Sequence, residues 1–223
     1  MKRRGSSDHL SSSLTDLMIS LMVIFILLLV ARLNNQATRT ERSVNYVMGQ
    51  LQPSLHGEQL HRDGDVLVLA IPQELMSFRE ARAEQGGADL LPQGRGYLRE
   101  RMPQLAGLLC RPDVRSKVDA IVVEGHSDKK GFGTGSEKSD RQENLKLSQE
   151  RSMAVVEETL NVLGGADRGC FLDLLSATGR GDAHPLDTRD LYSPRNRRVE
   201  LRIRVKPDAA GPVAASVAGS IQN

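Results

Sequence analysis

Apolar positions are spread unevenly along the chain. From Leu14 to Ala31 it reads LTDLMISLMVIFILLLVA, with Thr15, Asp16 and Ser20 as the only polar members. As a helix rising about 1.5 Å per residue this run extends roughly 27 Å, enough for the hydrocarbon core of a bilayer. Lys2, Arg3 and Arg4 ahead of it resemble the n-region of a signal peptide. The run nevertheless exceeds the usual h-region of about 7–15 residues, and no small-x-small cleavage site follows. The expectation is an uncleaved transmembrane helix over 14–31 behind a short leader, 1–13. Arg32, Arg39 and Arg42 nearly cancel the positive-inside bias of the leader. A short leader beside a folded downstream domain favours a cytoplasmic N-terminus with that domain on the far side.

The pattern then changes. Residues 32–64 are polar, helical in their first part and broken at Pro53 and Gly57, which reads as a linker. Asp63-Gly64 marks a turn, and Val66 to Ile71 a short β-rich run. Leu98, Met102, Leu105, Leu108 and Leu109 recur at helical spacing, with a break or bend expected near Pro103. Ala120 to Val123 is a compact apolar strand ending in the polar tip Glu124 to Asp128. An exposed loop covers 129–143. Leu145 to Leu163 is again helical, stopped by Gly164-Gly165. A third strand is expected in FLDLLSATGRG from Phe171. The last, NRRVELRIRV, alternates apolar Val199, Leu201, Ile203 and Val205 with basic residues, which predicts a half-buried strand with a cationic outer face. The tail 206–223 is small and turn-rich and is expected to be disordered. The fold class is therefore α+β: a two-layer β-α-β-α-β-β domain over 65–205, its helices packed on one sheet.

Composition narrows the function. A formal net charge of +2 gives no global case for nucleic acid, and 3% aromatics with no Trp removes the stacking platforms of single-strand binders. Gly125-His126-Ser127-Asp128 holds the residue types of a hydrolase triad. Neighbours on a strand project alternately, though, and a triad needs convergence from separate positions. GFGTGS lacks the Lys and helix of a phosphate loop. No enzyme, metal or cofactor is expected. Cys110 and Cys170 either form a bridge or sit as two separately buried thiols.

The polar tip suits binding better. Asp128 closes a strand, and Asn144 and Arg151 lie at the start of the next helix. The carboxylate can accept from an ammonium, and the guanidinium can fork onto a carboxylate. The alternative is that Asp128 and Arg151 pair with each other. Four ordered motifs bear on this: Gly125-His126-Ser127-Asp128; Asn144 with Leu147, Ser148 and Arg151; Gly179, Gly181 and Pro185; and Asn196 to Glu200. Together they resemble the OmpA-like peptidoglycan-binding domain also found in MotB-type stator proteins. The resemblance implies that Asp128 and Arg151 hold the diaminopimelate of a peptidoglycan stem peptide, with Asn144 and Arg197 nearby. Ser127 replaces the usual Thr and keeps its hydroxyl, Ser152-Met153 follows the Arg, and the loop after Asp128 is longer than the family norm. Arg197 and Arg198 also read simply as basic outer-face residues of a strand.

The apolar run resembles the single span of MotB-like subunits, where an Asp precedes a Met-rich stretch. That implies an inner-membrane homodimer in which Asp16, with Ser20 on the same helical face, carries H+ (or Na+) beside a MotA-like polytopic partner, while the outer domain grips the wall. An ionised Asp costs about 2.5–3.5 kcal/mol at the centre of a span and less toward its end, so such residues are rare and partnered. Asp16 can also serve as an N-terminal helix cap, although Ser11, Ser12 and Ser13 already supply caps. Within the class, the short leader points toward a defence-type motor such as that of Zorya anti-phage systems. The alternatives are a flagellar stator or a non-conducting OmpA-family wall anchor.

Overall fold

The computed structural model describes residues 6–55, 58–79, 87–130 and 137–208. Its first element, α1 (Ser6–Leu51), is one helix of 46 residues, roughly 70 Å long at about 1.5 Å per residue. The apolar run forms its exposed first part, and no part of the run is buried against the rest of the chain. The helix continues through the polar stretch that follows. Val44, Val47 and Leu51, spaced three and four apart, are fully buried in the core of the globular part. The segment read as a linker therefore carries an apolar stripe that docks. A short 3₁₀ turn, Gln52–Ser54 with Pro53 at its start, ends the helix.

A five-stranded sheet follows: β1 (Gln59–Asp63), β2 (Val66–Pro72), β3 (Val118–His126), β4 (Leu175–Gly181) and β5 (Arg198–Val205), in spatial order β1-β2-β5-β3-β4. Only β3 and β4 pair in parallel; the other pairs are antiparallel. β1 forms inside the segment read as linker. Four of its five residues are exposed, so no apolar alternation marks it. Gly64, at φ +63°, closes the β1–β2 hairpin, a position where a side chain would be strained.

Helices α2 (Pro92–Leu109), α3 (Pro112–Arg115), α4 (Glu137–Val162) and α5 (Gly165–Leu174) complete the fold. α2 is continuous across Pro103. The strand expected from Phe171 begins only at Leu175: Phe171 and Leu174 lie three apart on α5 and bury one helical face. Leu67, Leu69 and Ile71 from β2, Ile121 and Val123 from β3, and Val199, Leu201 and Ile203 from β5 share the helix-facing side. Against them pack Leu98, Met102 and Leu105 of α2 and Val155 of α4. Of the tail 206–223, Lys206 to Asp208 are described, and Asp208 pairs with Lys117; the remainder lies outside the described residues.

Cys110 and Cys170 are joined, so the bridge is the alternative realised. It ties the end of α2 to α5 across 60 residues of chain. By loop-closure entropy such a link contributes about 4 kcal/mol. Reduction, or the C110A/C170A double variant, is expected to lower stability by about 2–4 kcal/mol. Denaturant unfolding of the full chain in detergent, with and without reductant, measures it.

Candidate functional site: a cleft at the end of β3

Helix α4 lies unusually close to the sheet, and two glycines permit it. A Cβ on Gly125 would stand 2.2 Å from the Ser148 carbonyl oxygen, and one on Gly179 would stand 2.5 Å from the Gln149 backbone nitrogen. Ser148 fastens the contact: its Oγ donates to the Leu145 carbonyl and accepts from the Gly181 amide, both at 2.8 Å. Leu147 is buried beside it. Ser148 is thus turned into the helix–sheet seam and not toward the cleft. The seam sets the N-terminal half of α4 against the end of β3.

There the chain turns away from the sheet after His126, with the Ser127 amide donating to the Gly181 carbonyl at 2.9 Å. Asp128 is buried and both its carboxylate oxygens are engaged. Oδ1 accepts from the Lys130 amide at 3.2 Å, and Oδ2 from Arg197 Nη1 at 2.5 Å. Asn144, also buried, donates from Nδ2 to the Asp128 carbonyl at 3.3 Å and so holds the turn. Among the described residues, Ser127 Oγ is buried without a hydrogen-bond partner. Such an atom costs about 1–3 kcal/mol unless something satisfies it.

Arg151 reaches the same place from α4 but does not pair with Asp128 in a salt bridge. Its Nε donates to the Gly87 carbonyl at 2.9 Å, and its guanidinium lies 5.1 Å from the centre of the Phe78 ring. Burial and the neighbouring Arg197 lower its pKa to about 10, against the opposing pull of Asp128. It remains cationic at neutral pH. Arg197 Nε is held by Gln73 Oε1 at 2.5 Å. Its presentation depends on buried Asn196, which donates to the Asp187 and Asp190 carbonyls and accepts from the Asp187 amide, shaping the preceding loop. Gln73, Met76, Phe78, His126, Arg151 and Arg197 line the resulting narrow cleft.

Arg151 and Arg197 thus line the cleft, Asp128 meets it through its bond to Arg197, and Asn144 holds the turn that carries Asp128. Gln73, Phe78 and Gly87, on the β2–α2 connection, carry no sequence motif and escape a reading of the sequence. Asp16 and Ser20 lie far along α1, both exposed and four residues apart on one helical face.

The other side of the sheet departs from the expected cationic face. Arg198 and Glu200 are buried. Glu200 accepts from Arg198 Nε at 2.7 Å and from Arg202 Nη1 at 3.2 Å, while its cross-strand neighbour Glu124 accepts from Arg180 Nε at 3.0 Å. His126 Nε2 lies 3.2 Å from Glu124 Oε1 and 3.6 Å from Glu200 Oε2. Glu124, His126 and Glu200 are spaced as three metal ligands could be. Each carboxylate, however, is already neutralised by arginine, which disfavours a cation. Burial raises the Glu200 pKa, but the His126 imidazole and Arg198 outweigh it and hold the group at about 2.

Sequence comparison finds no matching family model and no matching curated protein. Among solved structures the chain is similar to a MotB-like protein from Desulfovibrio vulgaris, at 23% identity and a TM-score of 0.50, covering 78% of this chain and 98% of that one. It is also similar to the periplasmic domain of Helicobacter pylori MotB, at 18% identity, TM-score 0.47, and coverage of 69% and 82%. The cell-wall anchor of the T6SS from Pseudomonas aeruginosa gives 23%, 0.45, 73% and 97% for the same quantities. The first likeness shows the fold alone: the domain behind the long apolar helix has the OmpA-like α+β fold.

A depressed carboxylate pKa contributes stability above its unfolded value, 4.5 for Glu200, which is lost as pH falls toward about 2. The full chain is therefore expected to lose stability between about pH 5 and pH 2, and E200Q to flatten that dependence while weakening the protein at pH 7. Urea midpoints across the range measure both effects.

Proposed function

We propose that the chain is a MotB-like subunit of a bacterial inner-membrane complex, with α1 crossing the membrane once and the OmpA-like domain holding peptidoglycan in the periplasm. The observation that carries this reading is the cleft at the end of β3. Buried Asp128 and cationic Arg151 and Arg197 meet there, the charges that suit the free terminus of a diaminopimelate-type stem peptide. The Cys110–Cys170 bridge supports the orientation, since disulfides persist on the oxidising side of the membrane.

The finer part of the proposal is ion coupling. Two copies of α1 would stand beside a MotA-like polytopic partner, with Asp16 taking up and releasing H+ (Na+ being the alternative ion) and Ser20 on the same face. Moving one charge through 100 mV supplies about 2.3 kcal/mol, enough to bias a two-state helix packing. A Zorya-type defence motor is the output we assign; this rests on the sequence resemblance alone.

Sacculus binding by the full chain in detergent is expected to fall at least tenfold in D128A and in R151A. Unchanged binding in both removes the wall-binding reading. D16N is expected to abolish partner-dependent ion flux and phage protection while leaving sacculus binding intact. Full function in D16N would make the protein a non-conducting anchor.

A further inference from the structure

The two edges of the sheet are closed in different ways. An edge strand offers a row of backbone N–H and C=O groups on which another chain can add a strand. β1, at one end of the order β1-β2-β5-β3-β4, is short and carries His61, Arg62 and Asp63, polar and charged residues of the kind that discourage such pairing. β4, at the other end, is free of charge from Leu175 to Gly179. Its guard comes from α4. Gln149 Nε2 donates to the Ala177 carbonyl at 3.3 Å, and Gln149 Oε1 accepts from the Gly179 amide at 2.7 Å. One orientation of the carboxamide satisfies both, because it must donate at one end and accept at the other.

These are the bonds a neighbouring strand would make. In a parallel ladder, a residue opposite Thr178 gives its N–H to the carbonyl of Ala177 and takes the amide of Gly179 on its own carbonyl. Two places further along, the Gly181 amide donates to Ser148 Oγ at 2.8 Å. Side chains of a helix therefore stand where the backbone of a sixth strand would lie. Gly179 keeps the reach short, since a Cβ there would stand 2.5 Å from the Gln149 backbone nitrogen. We propose that Gln149 gates a latent strand-addition surface: its carboxamide occupies the outer edge of β4 and excludes the β4 strand of a second copy of this chain. A second copy is the occupant that fits, because β4 can meet its own image antiparallel about a two-fold axis. The uncharged stretch from Leu175 to Gly179 then brings no like charges face to face.

The test uses the full chain in detergent, with hydrogen exchange at the Gly179 amide and sedimentation measured on the same samples. Q149L keeps the bulk of the side chain and removes the carboxamide. In dilute Q149L, Gly179 is expected to exchange about tenfold faster than in the wild type, or more. As concentration rises, Q149L is expected to reach about twice the wild-type mass or more, while the wild type keeps its own. Adding T178K, which charges the edge strand, should return Q149L to the wild-type mass and leave Gly179 fast. Unchanged exchange in Q149L overturns the bonding role of the carboxamide. Faster exchange without added mass, or added mass that T178K does not cure, overturns the sealing of the edge. Q149E serves if Q149L does not fold. Its carboxylate still accepts from Gly179 and itself charges the edge, so exchange and mass should both stay at wild-type values. A rise in either overturns the proposal.

Discussion

The structure turns on how closely one helix can lie on a sheet. At Gly125 and Gly179 the backbone of α4 occupies the space that a side chain would fill. Ser148 then makes the contact specific by joining α4 to the end of β4. Because α4 is pinned there, Asn144, one turn earlier, meets the turn after β3, and Arg151, one turn later, points into the same cleft. A helix seated even an ångström higher would separate Arg151 from Asp128 and lose the buried hydrogen bond from Asn144. The glycines and the hydroxyl of Ser148 therefore belong to the site without touching a ligand. Packing density at a seam has become charge geometry at a rim.

Around that seam the protein buries charge in two different ways. On the side away from the helices, Glu124 and Glu200 are matched by Arg180, Arg198 and Arg202, so the carboxylates leave water with partners. At the end of β3, among the described residues, the Asp128 carboxylate faces the guanidiniums of Arg197 and Arg151. The first arrangement holds strands together and the second gathers charged groups beside the cleft. Adjacent residues separate the two, since Arg197 turns to Asp128 and Arg198 to Glu200.

This split bears on what the sequence can disclose. The apolar run, the core strands and the two main helices are legible because burial imposes periodicity, and Asp128, Asn144, Arg151 and Arg197 because they sit in ordered motifs. β1 was illegible for the converse reason: it is an exposed edge strand whose place is set by a glycine turn and by pairing with β2. The α5 segment misleads because Phe171, Leu174 and Leu175 form a short apolar run that suits either conformation. Arg198 reads as a surface charge because a pattern of charge signs does not reveal that it is buried beside Glu200 on the same strand. Gln73 and Phe78 act through tertiary placement, which a linear pattern does not encode.

The uninterrupted course of α1 has a mechanical consequence. Between Ala31, at the end of the apolar run, and Val44, the first apolar residue sunk into the core, lie only thirteen helical steps, about 20 Å at 1.5 Å each. With the apolar stretch in a bilayer, the globular domain stands off its surface on a stiff strut instead of a tether. Its reach is then set by backbone hydrogen bonds and not by chain entropy, and extending it requires unwinding helical turns. A tilt or roll of the membrane segment would swing the cleft with it, as a lever moves its load.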